Sequence, residues 1–144
     1  MSMHSVAERT NALITSVRGP SVYAAAASGF KLREVGIFNT TATECRVGLR
    51  RWTAAGTQGT ALTEADWDAN RTDTQCTAFN THTADATGGD TFRMAVVGAA
   101  IGSAIIWTFG ESGLIVPEGT GNGVGIYLPG GTAQHLDFYF DWEE

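Results

Sequence analysis

Three histidines, two cysteines and fifteen acids are the groups in this 144-residue chain with the potential for chemistry. Nucleophilic catalysis needs a Ser, Thr or Cys beside a base that a third group holds in place. No local motif arranges one, and there is no G-x-S-x-G turn. His4 is near the start of the chain, His82 sits between two threonines near Asp85 and Asp90, and His135 alternates with Leu136 so as to face outward beside Asp137. All three read as surface residues. Cys45 and Cys76 form no CxxC or Cys/His cluster with zinc spacing, and read as small core residues of a reducing compartment, with a disulfide between them left open. Asp66/Asp68, Asp137/Asp141 and Glu143/Glu144 supply oxygen ligands of the kind calcium takes, but no EF-hand spacing is present, so the expectation is a solvated acidic face. No pair of carboxylates is singled out for glycoside hydrolysis. The glycine-rich stretch 119–125 precedes a strand rather than a helix and matches neither phosphate-binding pattern. The expectation is a chain with no catalytic residue, no metal and no cofactor.

Charge narrows the partners. The net charge is −6, against nucleic-acid binding, which needs basic surface to displace counterions from phosphate. Eight of the nine cations but only six of the fifteen acids lie in residues 1–72, and no Lys or Arg follows Arg93. Such asymmetry suits docking on an oppositely charged neighbour if the two halves fall on different faces. Arg50-Arg51-Trp52 is the one compact cationic spot, and reads equally as a strand end or as a contact patch for an acidic partner. Residues 94–110 carry no charge and include Gly98 and Gly102 in a G-x-x-x-G spacing. The run is at the short limit for a membrane span and rich in Ala and Gly, so two strands joined by small residues are the better reading. No secretion signal is visible, because Glu8, Arg9 and Asn11 stand where an apolar core would be needed.

The elements that would position these groups are strands. Short β-branched or aromatic runs alternate with Gly, Thr, Asn and Pro clusters. Strands are predicted at residues 6–10, 21–27, 31–39, 45–52, 75–82, 91–97, 103–109, 114–116, 123–128 and 134–142. In the last of these Leu136, Phe138, Phe140 and Trp142 share one face and His135, Asp137, Tyr139, Asp141 and Glu143 the other. Pro129-Gly130-Gly131 is predicted to close a hairpin. Residues 53–74 have least strand character. They read as a crossing loop or as a short helical turn capped at Thr63, with Leu62 and Trp67 packing inward. At the N-terminus, Val6, Thr10, Leu13 and Val17 fit a helical stripe, and an extended arm or first strand fits as well. The fold class is therefore all-β: an antiparallel β-sandwich of jelly-roll type with little helix, in one domain over 21–144 preceded by an arm or first strand over 1–20.

Residues 32–39 (LREVGIFN), 105–110 (IIWTFG), 113–117 (GLIVP) and 136–143 (LDFYFDWE) together resemble, in pattern and order, the capsid decoration (cement) proteins of tailed bacteriophages. The resemblance implies a jelly-roll virion component, assembled in the host cytoplasm. It would bind the major capsid protein on the outer capsid surface as a homotrimer and stabilise the shell without chemistry, a nucleic-acid partner or a membrane. Residues 2–18 and 53–74 are the contact segments expected on that reading, with Arg9, Arg18, Arg50, Arg51, Trp52 and Trp67 as contact candidates. The alternative is a receptor- or carbohydrate-binding module of a phage fibre or tail, presenting Trp52, Trp67 or Tyr127 on an exposed surface.

Overall fold

Period-2 patterning places alternate residues on opposite faces, and two such sheets can bury their inner faces against one another. The computed structural model, described over residues 2–11, 16–71, 73–130 and 132–144, has eleven strands and no helix among those residues. They are β1 (Met3–Arg9), β2 (Ser21–Tyr23), β3 (Phe30–Asn39), β4 (Cys45–Ala54), β5 (Ala65–Asp66), β6 (Thr77–Phe79), β7 (Thr87–Val97), β8 (Ala104–Thr108), β9 (Leu114–Val116), β10 (Gly123–Tyr127) and β11 (Leu136–Glu143). The first sheet runs β5-β1-β11-β3-β8, with β9 pairing residues 30–32 of β3 on the same side as β8; the second runs β6-β2-β10-β4-β7. Every pairing is antiparallel. The result is an all-β protein of two sheets.

β11 shows why the sheets hold. Leu136, Phe138, Phe140 and Trp142 are buried, while the residues between them keep partial exposure. Each such apolar side chain contributes about 1.5–3 kcal/mol on burial. They meet Val35 and Ile37 of β3 and, across the sandwich, Val47, Leu49, Val124 and Ile126. The outer face of the second sheet carries a further small core of Tyr23, Trp52, Tyr127 and Ala86, with Val17, Ala55 and Phe79 packed on it. β10 is accordingly buried at all five positions, on both faces. Tyr127 needs a glycine opposite, because a Cβ on Gly48 would lie 2.4 Å from its ring. Tyr139 covers Gly36 on the first sheet in the same way, at 2.0 Å.

Several expectations change here. The first residues are a strand: β1 pairs with β11 from Met3↔Glu143 to Arg9↔Asp137, and Val6 lies in the core. Leu13 of the helical stripe lies outside the described residues, as does Gly131 of the predicted hairpin turn. Residues 53–71 contain no helix. The Thr63 cap does not form because tertiary bonds claim the segment: Leu62 N–H donates to the Ala78 carbonyl at 2.9 Å, and the Glu64 carboxylate accepts the Ala78 N–H at 2.8 Å. The halves of the chain do not occupy different faces, since β11 lies between β1 and β3, and β10 between β2 and β4.

Candidate interaction surfaces

The titratable groups that looked exposed are mostly enclosed. His4 is buried at 1% exposure because β1 is internal to its sheet. Its Nδ1 lies 2.6 Å from Asp66 Oδ1 and its Nε2 3.4 Å from Glu144 Oε2. Glu144 also accepts the Cys76 thiol at 2.9 Å and the backbone N–H groups of Gln75 and Cys76. Burial works against the Glu144 charge, but the bonds from Cys76, Thr74 and the two amides outweigh it and hold its pKa below the ordinary value. Burial, and then the bond and charge of Glu144, push the Cys76 thiol well above the usual range. A protonated thiol facing a carboxylate, with the imidazole turned to two other oxygens, is not an activated nucleophile. The arrangement ties β1, β5 and residues 74–76 to the end of β11. Cys45 is likewise a buried free thiol.

His82 is enclosed too, at 4% exposure. Its Nδ1 faces the Gly19 carbonyl at 3.0 Å and its Nε2 the Tyr23 hydroxyl at 2.6 Å. Trp52 Nε1 donates to Ser21 Oγ at 2.7 Å beside it. Burial lowers the His82 pKa, against a weaker opposing effect of the Gly19 carbonyl. The imidazole is thus a neutral structural group beneath a roof of loops. His135 is half-buried, and its Nδ1 lies 2.8 Å from the Thr10 carbonyl. Among the described residues no group of three His, Cys, Asp or Glu side chains is placed to hold a metal ion.

The six contact candidates scatter. Trp52 is fully buried, which removes it from any contact surface; its burial follows from the second core on the outer face of its sheet. Arg9 pairs with Asp137 and Arg18 with Asp85, each at 2.6 Å. Trp67, beside β5, is 62% exposed, with its Nε1 donating to Ser5 Oγ at 2.8 Å. Tyr127 is buried at 7% exposure, so of the three aromatics proposed to meet a glycan only Trp67 faces solvent.

Arg50 and Arg51 belong to a cluster that sequence reasoning did not assemble. Arg50 lies 5.6 Å over the Tyr127 ring, Arg51 5.1 Å over Phe92 and Arg93 5.0 Å over Phe109. Arg46 reaches Met94 Sδ at 3.2 Å. None of the four is within salt-bridge distance of a carboxylate among the described residues. They flank the lateral edge of the sandwich at which β7 and β8 end their sheets side by side. Five of the six large hydrophobic residues exposed among the described residues line that edge from its two sides. Met94 and Val96 of β7 lie opposite Gly48 and Arg46 on the outer face of the second sheet, Ile106 of β8 and Ile115 of β9 lie opposite Gly36 and Lys31 on the outer face of the first, and Ile101 is in the turn between β7 and β8. The uncharged run 94–110 is this edge, and its G-x-x-x-G spacing falls at the β7–β8 turn. No helix among the described residues is long and apolar enough to cross a membrane. The signal present in the sequence was the missing charge; that it marks an edge follows only from the strand order.

The outer face of the first sheet is a second open surface. Phe38, Tyr139, Asp141 and Glu34 keep partial exposure there. Tyr139 donates to Glu34 at 2.5 Å, and Ser5 donates to Asp141. Burial, reinforced by the neighbouring Glu34 and partly offset by Ser5, raises the Asp141 pKa.

No family model, no curated protein and no solved structure matches this chain.

Proposed function

We propose that this chain is a structural virion protein, a capsid decoration module that works by burying surface rather than by catalysis. The observation that carries the reading is the gathering of exposed large hydrophobics and unpaired arginines on one edge. Isolated monomers rarely leave such a surface bare, and Met, Arg and aromatic residues are the types enriched in contact cores. Open edge strands also template pairing with another chain unless they are covered. The strand order supports the jelly-roll form of the sandwich: β1-β11-β3-β8 faces β2-β10-β4-β7, and the first four strands alternate between sheets. Viral capsid domains share that architecture with lectins and cupins, an analogy of fold alone.

On this reading the open outer face of the first sheet, with Phe38 and Tyr139, seats on the major capsid protein. The lateral edges join copies into the homotrimer that the resemblance implies. Within the residue 2–18 segment, Met3–Arg9 contributes a strand to the module. The test is quantitative mass spectrometry of purified particles from the source, counting this chain against the major capsid protein. A simple fraction of the capsid copy number is expected. A handful of copies would transfer the chain to a fibre or tail, and absence from particles would overturn the virion assignment.

A further inference from the structure

The sandwich has two lateral edges of opposite character. β7 and β8 end the sheets on one side, and β5 and β6 end them on the other. On the first side β4 and β7 together hold four arginines, Arg46, Arg50, Arg51 and Arg93, against one acid, Asp90. On the second side residues 63–71 and 73 hold four acids against one arginine: Glu64 accepts the Ala78 N–H, Asp66 faces His4, Asp68 lies 3.5 Å from Arg71, and Asp68 and Asp73 are exposed. Each edge also carries apolar surface: Met94 and Val96, beside Arg46 on the outer side of β7, with Ile101 in the adjoining turn, on the first, and Trp67 on the second. Trp67 is the only large hydrophobic residue exposed away from the β7–β9 edge among the described residues.

We propose that the β7–β8 edge of one copy seats on residues 63–73 of a second copy, giving a head-to-tail homo-oligomer in which Trp67 packs among the apolar residues between the arginines. A partner is needed that offers acids around an exposed aromatic, and this chain carries that surface on its own opposite edge. Copies with a net charge of −6 repel at long range, so a contact that sets arginines against acids is favoured over one between like edges. Trp and Arg are also the side chains that dominate contact energies when water is excluded around them. Because the two contact surfaces differ, the interface is heterologous. It generates a ring if the rotation between copies closes and a filament if it does not. The inference rests on the oligomeric part of the decoration reading and is independent of capsid attachment, so a chain absent from particles could still assemble this way.

The experiment is light scattering on the full chain across a dilution series, with two variants whose substitutions lie on the exposed surface. One carries Arg46→Glu and Val96→Glu on the first edge; the other carries Trp67→Ala and Asp68→Lys on the second. Thermal melts establish that each is folded. The native chain is expected to be oligomeric and both variants monomeric. A mixture of the two is expected to form a 1:1 dimer, since each variant retains the half that the other has lost. A monomeric native chain, an oligomer that survives either pair of substitutions, or a mixture that stays monomeric would overturn the proposal. Survival in the Trp67 variant alone would indicate like edges pairing. If a variant does not fold, a photo-crosslinking benzoylphenylalanine at position 96, exposed beside Arg46, in the otherwise native chain replaces it. Capture of the peptide around Trp67 from a second copy is expected, and capture of residues 94–115 instead would overturn the head-to-tail arrangement.

Discussion

A neutral imidazole inside a protein is a stability element with a pH limit. His82 lies 2.6 Å from the Tyr23 hydroxyl through Nε2 and 3.0 Å from the Gly19 carbonyl through Nδ1, enclosed away from the solvent that would hydrate a charged ring. Burial has lowered its pKa, whereas in the unfolded chain it titrates near the ordinary value of about 6.5. Below that pH the unfolded chain binds a proton that the folded chain refuses, so the stability conferred by this group is complete above it and declines as pH falls. Glu144 and Asp137, held below the carboxylate range, lose theirs only further down, as pH falls through their own folded values. Asp141, whose pKa burial raises, works in the opposite direction as pH falls, so it is the difference in urea midpoint between the native chain and a His82 variant, measured from pH 8 to about pH 5, that reports the histidine. The His82→Gln variant is expected to start lower at pH 8. The native midpoint is expected to fall relative to it across that window. Equal slopes for the two would remove His82 as the source.

At the scale of elements, β1 carries a prediction opposite to that of a detachable arm. It lies between β5 and β11, and supplies Val6 to the core and His4 to the contacts with Asp66 and Glu144. Deleting residues 2–10 would strip one edge of β11 and leave Phe138, Phe140 and Trp142 without part of their cover. Loss of a cooperative thermal transition, with aggregation, is expected in circular dichroism. A truncated chain that melts as sharply as the full one would overturn the assignment of β1 as structural. The same strand shows what a sequence discloses. Alternation along 136–142 marked an aromatic row, and all ten predicted strands have counterparts, because period-2 patterning is local. β5 escaped because two residues have no period. The burial of Trp52, His82 and Tyr127 escaped because it depends on a loop layer over the outer face of the second sheet, and nothing local announces a covered outer face. The Arg50-Arg51-Trp52 spot was legible as a composition. Its companions Arg46 and Arg93, and the apolar residues they flank, were not, because pairing across β4 and β7 brings them together from separate stretches of chain.

For the whole molecule, the consequential charge asymmetry runs from edge to edge rather than along the chain. β10 and β11, from the acid-rich half, are threaded between strands of the other half, so the sequence imbalance is mixed through both sheets. What survives is an arginine edge and an acid edge on opposite sides. Exposed charges at such a contact act mainly before docking, by steering one copy onto the next, and salt screens that steering. The apolar contact of Trp67 with the β7–β8 edge acts after docking and is not screened. The two contributions separate kinetically. Raising ionic strength from about 0.01 M to about 1 M shortens the screening length from about 30 Å to about 3 Å. Over that range the association rate of copies, followed by stopped-flow light scattering, is expected to fall at least about tenfold. The dissociation rate is expected to change far less, and the Trp67→Ala variant should reverse the pattern, raising dissociation while keeping the salt dependence of association. An association rate indifferent to salt would mean that the opposed charges do not face one another across the contact.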